Sequence, residues 1–414
     1  MRLVCVLAAI TTHDAPLIAT IAVSLAFAFV GGLLAVRLRL PPLVGYLLAG
    51  IVVGPFTPGF VADAKLAPQL AEIGVILLMF GVGTHFSIRD LFAVRRVALP
   101  GAFTQIIVAT ALGAGVTTLW GWSLGAGIIF GLSLSVASTV VLLRALEDRD
   151  MIKSNDGRIA IGWLVVEDLL MVLTLVLLPA LTGVLGGPAP DNTGNGGLWP
   201  ALGITIGKVV LFIGLMLIAG VRFFPWLLSR VEKTGSRELF TLAVIALALG
   251  VAFGSAKLFG VSFALGAFFA GVVVNESDLS HRAARDLQPL QDAFTVLFFV
   301  AVGMLFDPSI LIRQPLQVLA VLAIVVFGKS LAAFGIVRAL GGSMRTALIV
   351  SAALAQIGEF SFILAGLGVN LRLLPAEGLN LIVAGALLSI TFNPAVFGAV
   401  IAFARRKDKH RQEA

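Results

Sequence analysis

Thirteen mainly apolar stretches, most of them close to the length of one membrane crossing, follow one another along the 414 residues of the chain. An α-helix rises about 1.5 Å per residue, so about 20 apolar residues cross a hydrocarbon layer about 30 Å thick. Charged residues make up only 12% of the chain, against about 25% in an average soluble domain. The sequence therefore predicts an all-α polytopic membrane protein with about 13 transmembrane helices.

Proline, glycine and charge clusters mark the predicted boundaries between the segments, of which the second is short. The segments are predicted at residues 16–36, 42–54, 66–84, 97–118, 122–143, 159–183, 199–221, 238–255, 259–275, 288–306, 315–337, 346–369 and 378–404.

The basic residues support this count, because 22 of the 29 lysines and arginines fall in loops on one side of the predicted membrane or in the C-terminal tail. Cytoplasmic loops carry the excess of Lys and Arg in membrane proteins. The N-terminus is therefore predicted outside and the C-terminus in the cytoplasm. The basic residues on this side are Arg37, Arg39, Arg89, Arg95, Arg96, Arg144, Arg149, Lys153, Arg158, Arg222, Arg230, Lys233, Arg237, Arg282, Arg285, Arg338, Arg345, Arg405, Arg406, Lys407, Lys409 and Arg411.

Two polar patches interrupt the apolar pattern, SLSVAST (133–139) in the fifth segment and AQIGEFSF (355–362) in the twelfth. They lie seven spans apart, an odd number, so equivalent positions run in opposite directions through the membrane. This is the layout of inverted repeats, in which two discontinuous helices cross near the bilayer midplane. We predict repeats at roughly 42–183 and 259–404, joined by linking helices at 199–255 and by a flexible outside linker at 186–197. Residues 1–404 then form one membrane transport domain, and residues 405–414 form a basic cytoplasmic tail.

Glu167 and Asp168 form an acidic pair in the sixth segment. If that segment starts near Arg158 at the cytoplasmic edge, Asp168 lies about 15 Å deep, and Lys329, nine residues before Arg338, lies about 14 Å deep. Ionisable groups at this depth are costly and normally face water, a partner charge or a transported ion. A proton, Na⁺ or K⁺, and the Lys329 ammonium are mutually exclusive partners for such a carboxylate, and competition among them exchanges protons for cations.

The polar patches would add hydroxyl and freed carbonyl oxygens, which are hard ligands suited to alkali cations. The candidate cation ligands or polar groups of the crossing helices are Ser135, Ser138, Thr139, Gln356, Glu359 and Ser361.

A purely structural role stays open for several of these candidate residues. Glu167 and Asp168 could form a hydrogen-bonding pair between helices, and Lys329 could extend its ammonium to the inner interface. Ser138 and Thr139, taken alone, are expected to bond back to their own helix. Glu359 is equally compatible with a structural role as a helix-breaking acid.

Several classes of function are disfavoured. The chain has no Lys/Arg stripe with interleaved aromatic residues that would indicate nucleic-acid binding. Its one cysteine, Cys5, rules out a multi-Cys zinc site, and its four histidines fall in predicted loops or tails, so neither a resident metal nor another cofactor is expected. A membrane enzyme would need a Ser/His or Cys/His pair at bilayer depth, and the predicted membrane segments contain no such pair. A gated monovalent cation channel or efflux system remains the alternative, although a channel needs a continuous polar pathway.

The patterns LPPLVGYLLAGIVVGP (40–55), GLSLSVASTVVLLRAL (131–146), VVEDLL (165–170), VSFALGAFFAGVVVNES (261–277), FFVAVGMLFDP (298–308) and AQIGEFSFILAGLG (355–368) occur in this order. Together they resemble the membrane domain of the Kef-type monovalent cation:proton antiporters, most closely the YbaL-like subgroup. The resemblance implies thirteen spans in a homodimer, with a dimerisation domain and a mobile core domain that moves like an elevator. It also implies that Asp168 binds the ion, that Glu167 precedes it in the acidic pair and that Lys329 opposes them.

The chain departs from the Kef pattern at several points. Glu167 stands where potassium-efflux systems typically have Gln, so cation choice and stoichiometry are left open. No nucleotide-binding domain follows the membrane segments in this chain, so either the chain is a truncated transport module or the regulator is absent, and a cytoplasmic regulatory domain or subunit stays open. Arg282 and Arg285 offset the acids of the loop 276–291, so glutathione-type gating is not expected.

The function expected from all this is secondary active antiport of a monovalent cation, K⁺ before Na⁺, against H⁺ across the bacterial inner membrane, with lipid around the protein. Asp168 would bind cation or proton in alternation. Glu167 would tune the pKa of Asp168 or carry a second proton. Lys329 would neutralise the empty site.

Overall fold

The computed structural model describes residues 16–58, 66–85, 88–188 and 198–412, and within these ranges the chain is helical and forms no strand. The first helices are α1 (Pro16–Arg37), α2 (Pro42–Val53), α3 (Leu66–His85), α4 (Ile88–Leu119), α5 (Leu124–Ser135), α6 (Thr139–Glu147), α7 (Asn155–Leu181), α8 (Leu198–Leu215) and α9 (Val221–Glu232). They are followed by α10 (Arg237–Gly254), α11 (Phe263–Asn275), α12 (Ser280–Met304), α13 (Ile310–Arg313), α14 (Pro315–Ala323), α15 (Lys329–Ala339), α16 (Met344–Ala353), α17 (Glu359–Asn370) and α18 (Ala376–Gln412).

Each predicted segment coincides with a helix, a run of helices or a pair of half-helices in the described ranges. Among the described residues, ten helical runs are long and apolar enough to cross a membrane, and four shorter apolar helices accompany them. The short second segment is α2, and the twelfth is divided into α16 and α17. The prediction of an all-helical membrane protein is confirmed, while the count of thirteen crossings stays a prediction because length and composition alone define these runs.

The predicted ends of several segments are wrong. The tenth begins at Ser280 rather than at residue 288, so most of the predicted loop 276–291 is helical, and the seventh continues to Glu232. Pro225 and Pro289 lie inside helices, because neighbouring groups in a packed bundle satisfy the backbone that proline frees. The predicted tail 405–414 continues α18 as far as Gln412. Most of the predicted linker 186–197 lies outside the described residues.

The helices pack as two groups. The panel group contains α1–α3 and α8–α12, in which α3 packs on α11 and α12, and α2 packs on α1 and α12. The site group contains α4–α7 and α13–α18, in which α4 packs on α5, α7 and α15, and α18 packs on α14, α16 and α17. Every site residue described below belongs to the site group.

Glycines allow the panel helices to approach at backbone distance. A Cβ on Gly50 of α2 would lie 2.8 Å from the Cα of Gly303 in α12, and a Cβ on Gly83 of α3 would lie 3.0 Å from the Cα of Gly271 in α11. Small residues at helix crossings replace the hydrophobic driving force that lipid removes. The panel helices are therefore closely interlocked.

Candidate functional site

Two helices of the site group are interrupted at corresponding places. Between α5 and α6 the backbone becomes extended, from Val136 (φ −91°, ψ 137°) to Ser138 (φ −82°, ψ 127°). Between α16 and α17 residues 354–358 are non-helical and end at Gly358 (φ −105°, ψ 177°). The two polar patches that the sequence indicated are therefore the two helix breaks.

The breaks cross each other in direct backbone contact. The Gly358 N–H donates to the Val136 carbonyl at 3.1 Å. The Gln356 side chain clamps the crossing, since its Oε1 accepts from the Ser138 N–H at 2.9 Å and its Nε2 donates to the Ser138 carbonyl at 3.1 Å. Four helix ends, two of each polarity, thus meet at one point, where N–H groups favour anions and carbonyls favour cations.

Glu167 lies fully buried in α7 and points into the first break. Its Oε2 accepts from the Ala137 N–H at 2.9 Å, and its Oε1 accepts from Nε2 of Gln105 in α4. The same amide nitrogen donates to the carbonyl of Ser135, at the end of α5, at 3.2 Å. Gln105 therefore joins the carboxyl group to the terminal carbonyl of a half-helix.

Lys329 is buried and binds at the second break. It follows a π-helical turn, Ile324–Gly328, of the kind often found near functional sites. Its Nζ donates to the Gln356 carbonyl at 2.9 Å, where a helix C-terminus favours a positive charge. Glu167 is the carboxyl group that interacts electrostatically with this ammonium. The inference that Lys329 reaches the inner interface is wrong, because the residue is 0% exposed.

Asp168 faces the other side of the crossing. Its Oδ2 accepts from the Thr139 hydroxyl at 3.2 Å, while its Oδ1 is buried and has no partner among the described residues. Glu359, at the N-terminus of α17, interacts electrostatically with Asp168. Both carboxyl oxygens of Glu359 are buried close to Ser138 and Thr139 without a hydrogen bond of standard geometry in the described chain.

The hydroxyl groups of the two patches divide into bonded and unbonded ones. The Ser138 hydroxyl caps α6 by accepting from the Val141 N–H at 3.3 Å. The expectation that Thr139 bonds back to its own helix is wrong, because it donates to Asp168. Ser135 does bond back, to the Leu132 carbonyl at 2.7 Å. The Ser361 hydroxyl is buried and has no partner in the described residues.

Sequence reasoning missed three polar residues that support the crossing. One is Gln105. The others lie in α18, where the Ser389 hydroxyl accepts from the Ile357 N–H at 3.3 Å and Asn393 Nδ2 donates to the Ala352 carbonyl at 2.9 Å. Each is an uncharged amide or hydroxyl within an otherwise apolar segment, and that polarity was the signal that could have identified them.

The site offers oxygen ligands on the side of Asp168. On the other side the charges of Glu167 and Lys329 compensate each other. Asp168, Thr139 and Glu359 bring two carboxyl groups and a hydroxyl together, and carboxyl groups this close need a proton or a cation between them. In the described residues no cluster of three or more His, Cys, Asp or Glu side chains could hold a resident metal ion. Oxygens alone suit an alkali cation.

Comparison with known proteins gives consistent matches along most of the chain. The model of the transmembrane sodium/hydrogen exchanger family matches residues 25–402. The putative cation/proton antiporter YbaL of Escherichia coli (strain K12) is 65% identical over 385 residues, which are 93% of this chain and 68% of that protein. K(+) efflux antiporter 4 of Arabidopsis thaliana is 33% identical over 386 residues, 93% of this chain and 64% of that protein.

A solved structure shares the fold. The sodium proton antiporter MjNhaP1 from Methanocaldococcus jannaschii, in its structure at pH 8, matches with a TM-score of 0.63 and 16% identity, over 93% of this chain and 97% of that one. At this identity the match concerns the arrangement of helices alone.

Proposed function

This chain belongs to the transmembrane sodium/hydrogen exchanger family, and on that premise we propose that it exchanges a monovalent cation, K⁺ before Na⁺, for H⁺. The relatives at 65% and 33% identity are named as cation/proton and K⁺ efflux antiporters, which supports this assignment and the preference for K⁺. As a transporter of this family the protein is not an enzyme.

One observation carries the proposal: two buried carboxyl groups lie at the crossing of two broken helices, and one oxygen of Asp168 is satisfied by no described residue. Asp168 Oδ1 has no hydrogen-bond partner in the described chain, and the Glu359 oxygens lie close to Ser138 and Thr139 without a hydrogen bond of standard geometry. A buried acceptor left unpaired costs about 1–3 kcal/mol, and more when it is charged. A cation or a proton removes this cost, and only one of them fits at a time. Asp168 therefore binds cation and proton in alternation, with Thr139 and Glu359 as further oxygen ligands.

Glu167 and Lys329 form the fixed part of the site. Glu167 already has two hydrogen-bond donors, and Lys329 is held on the Gln356 carbonyl. In this proposal they keep their charges through the cycle, so one proton replaces one cation at Asp168 and the exchange moves no net charge.

The cycle proceeds by an elevator movement, in which the site group slides past an interlocked panel group. The close glycine contacts of the panel helices and the location of all site residues in the other group support this division. The panel group would also form the interface of a homodimer. The protein would lie in a bacterial inner membrane with its C-terminus in the cytoplasm, and regulation by a cytoplasmic domain or subunit fits the proposal.

The test is dissipation of an imposed pH gradient in proteoliposomes. K⁺ should dissipate the gradient in the wild type, and Asp168→Asn should abolish the response, because an amide cannot exchange a proton for a cation. Glu238→Gln, which removes an exposed acid in the first turn of α10, is the matched control and should transport normally. Full activity of Asp168→Asn would contradict the assignment.

The same vesicles test selectivity and stoichiometry. Na⁺, Li⁺ and Rb⁺ replace K⁺ in parallel assays, and K⁺ should act at the lowest concentration. Each assay is repeated with the membrane potential clamped by an ionophore and left free. Equal rates in the two conditions are expected, while a rate that depends on the clamp would contradict the fixed Glu167–Lys329 charge pair.

A further inference from the structure

A cavity of about 330 Å³ lies where the link between α1 and α2 meets α6 and α18, on the arginine-rich face of the protein. Its charged lining residues are Arg39, Arg144, Arg149 and Asp148, three positive groups against one negative group. The volume is within the range of about 300–1,000 Å³ that small-molecule sites occupy. The cavity therefore has the size and the charge of a site for a small anion.

None of the three arginines forms an ion pair with another described residue, although such pairs occur elsewhere in the molecule. Arg149 is held in place, since its guanidinium donates to the Ala145 carbonyl at 3.2 Å and lies 4.9 Å from the centre of the Phe397 ring. The positive charge is thus partly preorganised before any ligand arrives.

The backbone of Arg39 adds a second observation. Its φ is +60°, in the left-handed region that costs a non-glycine residue about 1–2 kcal/mol. Glycine is the usual residue after a helix end of this kind, yet here an arginine takes the position and lines the cavity. Strained residues concentrate at ligand sites.

Asn393 supplies a hydrogen-bond acceptor at the same cavity. It is 1% exposed, and its Nδ2 is fixed on the Ala352 carbonyl. Its Oδ1 is buried without a donor among the described residues. A ligand that carries both negative oxygens and a hydroxyl donor would satisfy the arginines and this amide together.

We propose that this cavity binds a small anion with a phosphate monoester or hydrogen phosphate group. The arginine guanidinium matches phosphate in bidentate geometry, and the P–OH or a neighbouring hydroxyl donates to Asn393. The net positive charge disfavours entry of a transported cation by this route. Arg39 belongs to the panel group and Arg144 and Arg149 belong to the site group, so a bound anion would hold the two groups together. That holding the two groups together regulates transport rests on the proposed function, whereas the binding of the anion does not.

The test is direct binding of inorganic pyrophosphate to the full chain in phosphatidylcholine nanodiscs, by calorimetry at constant ionic strength. We expect saturable binding, one per chain, that weakens about tenfold or more in Arg144→Ala and in Arg39→Gly. Arg39→Gly also relieves the left-handed backbone, so it should be at least as stable to heat as the wild type. Arg230→Ala, on the same face but outside the cavity, is the control and should bind normally.

A parallel arm distinguishes a soluble anion from a lipid headgroup. Nanodiscs containing phosphatidic acid should weaken pyrophosphate binding to the wild type if the headgroup occupies the cavity, and should leave it unchanged if the ligand is soluble; both results support the site. Asp168→Asn should bind pyrophosphate normally whether or not it transports. The proposal is overturned by unsaturable binding, or by binding to Arg144→Ala and Arg39→Gly that equals binding to the wild type.

Discussion

Glu167 and Asp168 are neighbours in the sequence but have different surroundings, because successive residues on a helix point about 100° apart. Glu167 meets Gln105, the Ala137 N–H and the charge of Lys329, whereas Asp168 meets Thr139 and the acid Glu359. One carboxyl group is fixed by donors and the other has an oxygen without a donor. On this difference we base the proposal that Glu167 positions the site and that Asp168 binds the ion.

At the residue scale, Gln105→Leu should destabilise the protein. The substitution removes the amide that donates to Glu167 and to the Ser135 carbonyl. Each buried acceptor left unpaired lowers the free energy of unfolding by about 1–3 kcal/mol. The loss should appear as a lower midpoint of thermal unfolding in detergent.

Thr110→Val is the matched control for Gln105→Leu on the same helix. The Thr110 hydroxyl has no hydrogen-bond partner among the described residues, so its removal should leave the midpoint unchanged or raise it. An equal fall in the two variants would show that α4 tolerates no substitution and would remove the special role given to Gln105.

The sequence indicated the charged residues of the candidate site together with Thr139 and Gln356, but not Gln105 or Asn393. Asp168, Glu167 and Lys329 stand out because ionisable groups are costly inside apolar segments. Gln105 and Asn393 carry no charge, and their importance depends on which carbonyl or carboxyl lies opposite them. That pairing is set by the packing of distant helices, which spacing along the chain does not reveal.

At the element scale, the crossing requires a residue without a side chain at position 358. A Cβ there would lie 2.6 Å from the Ala137 carbonyl carbon and 2.9 Å from the Ser138 nitrogen, and these backbone atoms cannot move without opening the crossing. Gly358→Ala should therefore abolish most transport and destabilise the protein by about 1–3 kcal/mol, measured by proteoliposome flux and thermal unfolding.

Gly366→Ala is the control on the same half-helix, α17. A Cβ at Gly366 meets nothing within 4 Å, and alanine is favoured over glycine in a helix by about 0.5–1 kcal/mol. This variant should transport normally and unfold at an equal or higher temperature. If Gly358→Ala behaved the same way, close backbone approach at the crossing would not be required.

Hydropathy predicted where helices lie but not where they end. Apolar segments must be helical in lipid because each backbone group needs an internal partner. Beyond the lipid, polar residues can continue the same helix in water, as in α12 from Ser280 and α18 to Gln412. The pattern also located both helix breaks, since polar residues cluster where the backbone leaves the helix.

At the scale of the whole molecule, two interhelical contacts reflect the predicted inverted repeat. The second, third, ninth and tenth predicted spans correspond to α2, α3, α11 and α12. A shift of seven spans relates α2 to α11 and α3 to α12. The contact between α2 and α12 therefore corresponds to the contact between α11 and α3. Both contacts are made by glycine pairs, Gly50 with Gly303 and Gly83 with Gly271. Related pairs in the two halves support the proposal that the panel is a rigid unit against which the site group moves.

Linking the panel group to the site group should stop transport. Val36 in α1 belongs to the panel group and Ala145 in α6 belongs to the site group, and both line the cavity of about 330 Å³, so a bifunctional reagent can span them. In a Cys5→Ser background, which removes the one native cysteine, Val36→Cys with Ala145→Cys should lose most K⁺/H⁺ exchange when bridged by a bifunctional methanethiosulfonate, and a reductant should restore it.

A bridge within the panel group separates blocked movement from chemical damage. Glu232 in α9 and Arg282 in α12 contact each other at 3.1 Å, and both helices belong to the panel, so the Glu232→Cys with Arg282→Cys protein should transport equally well with and without the same reagent. Each single cysteine variant should also be insensitive to it. Because an elevator cycle needs the site group to slide past the panel, undiminished exchange by the bridged Val36–Ala145 pair would mean that Asp168 changes sides by a local gate within the site group instead.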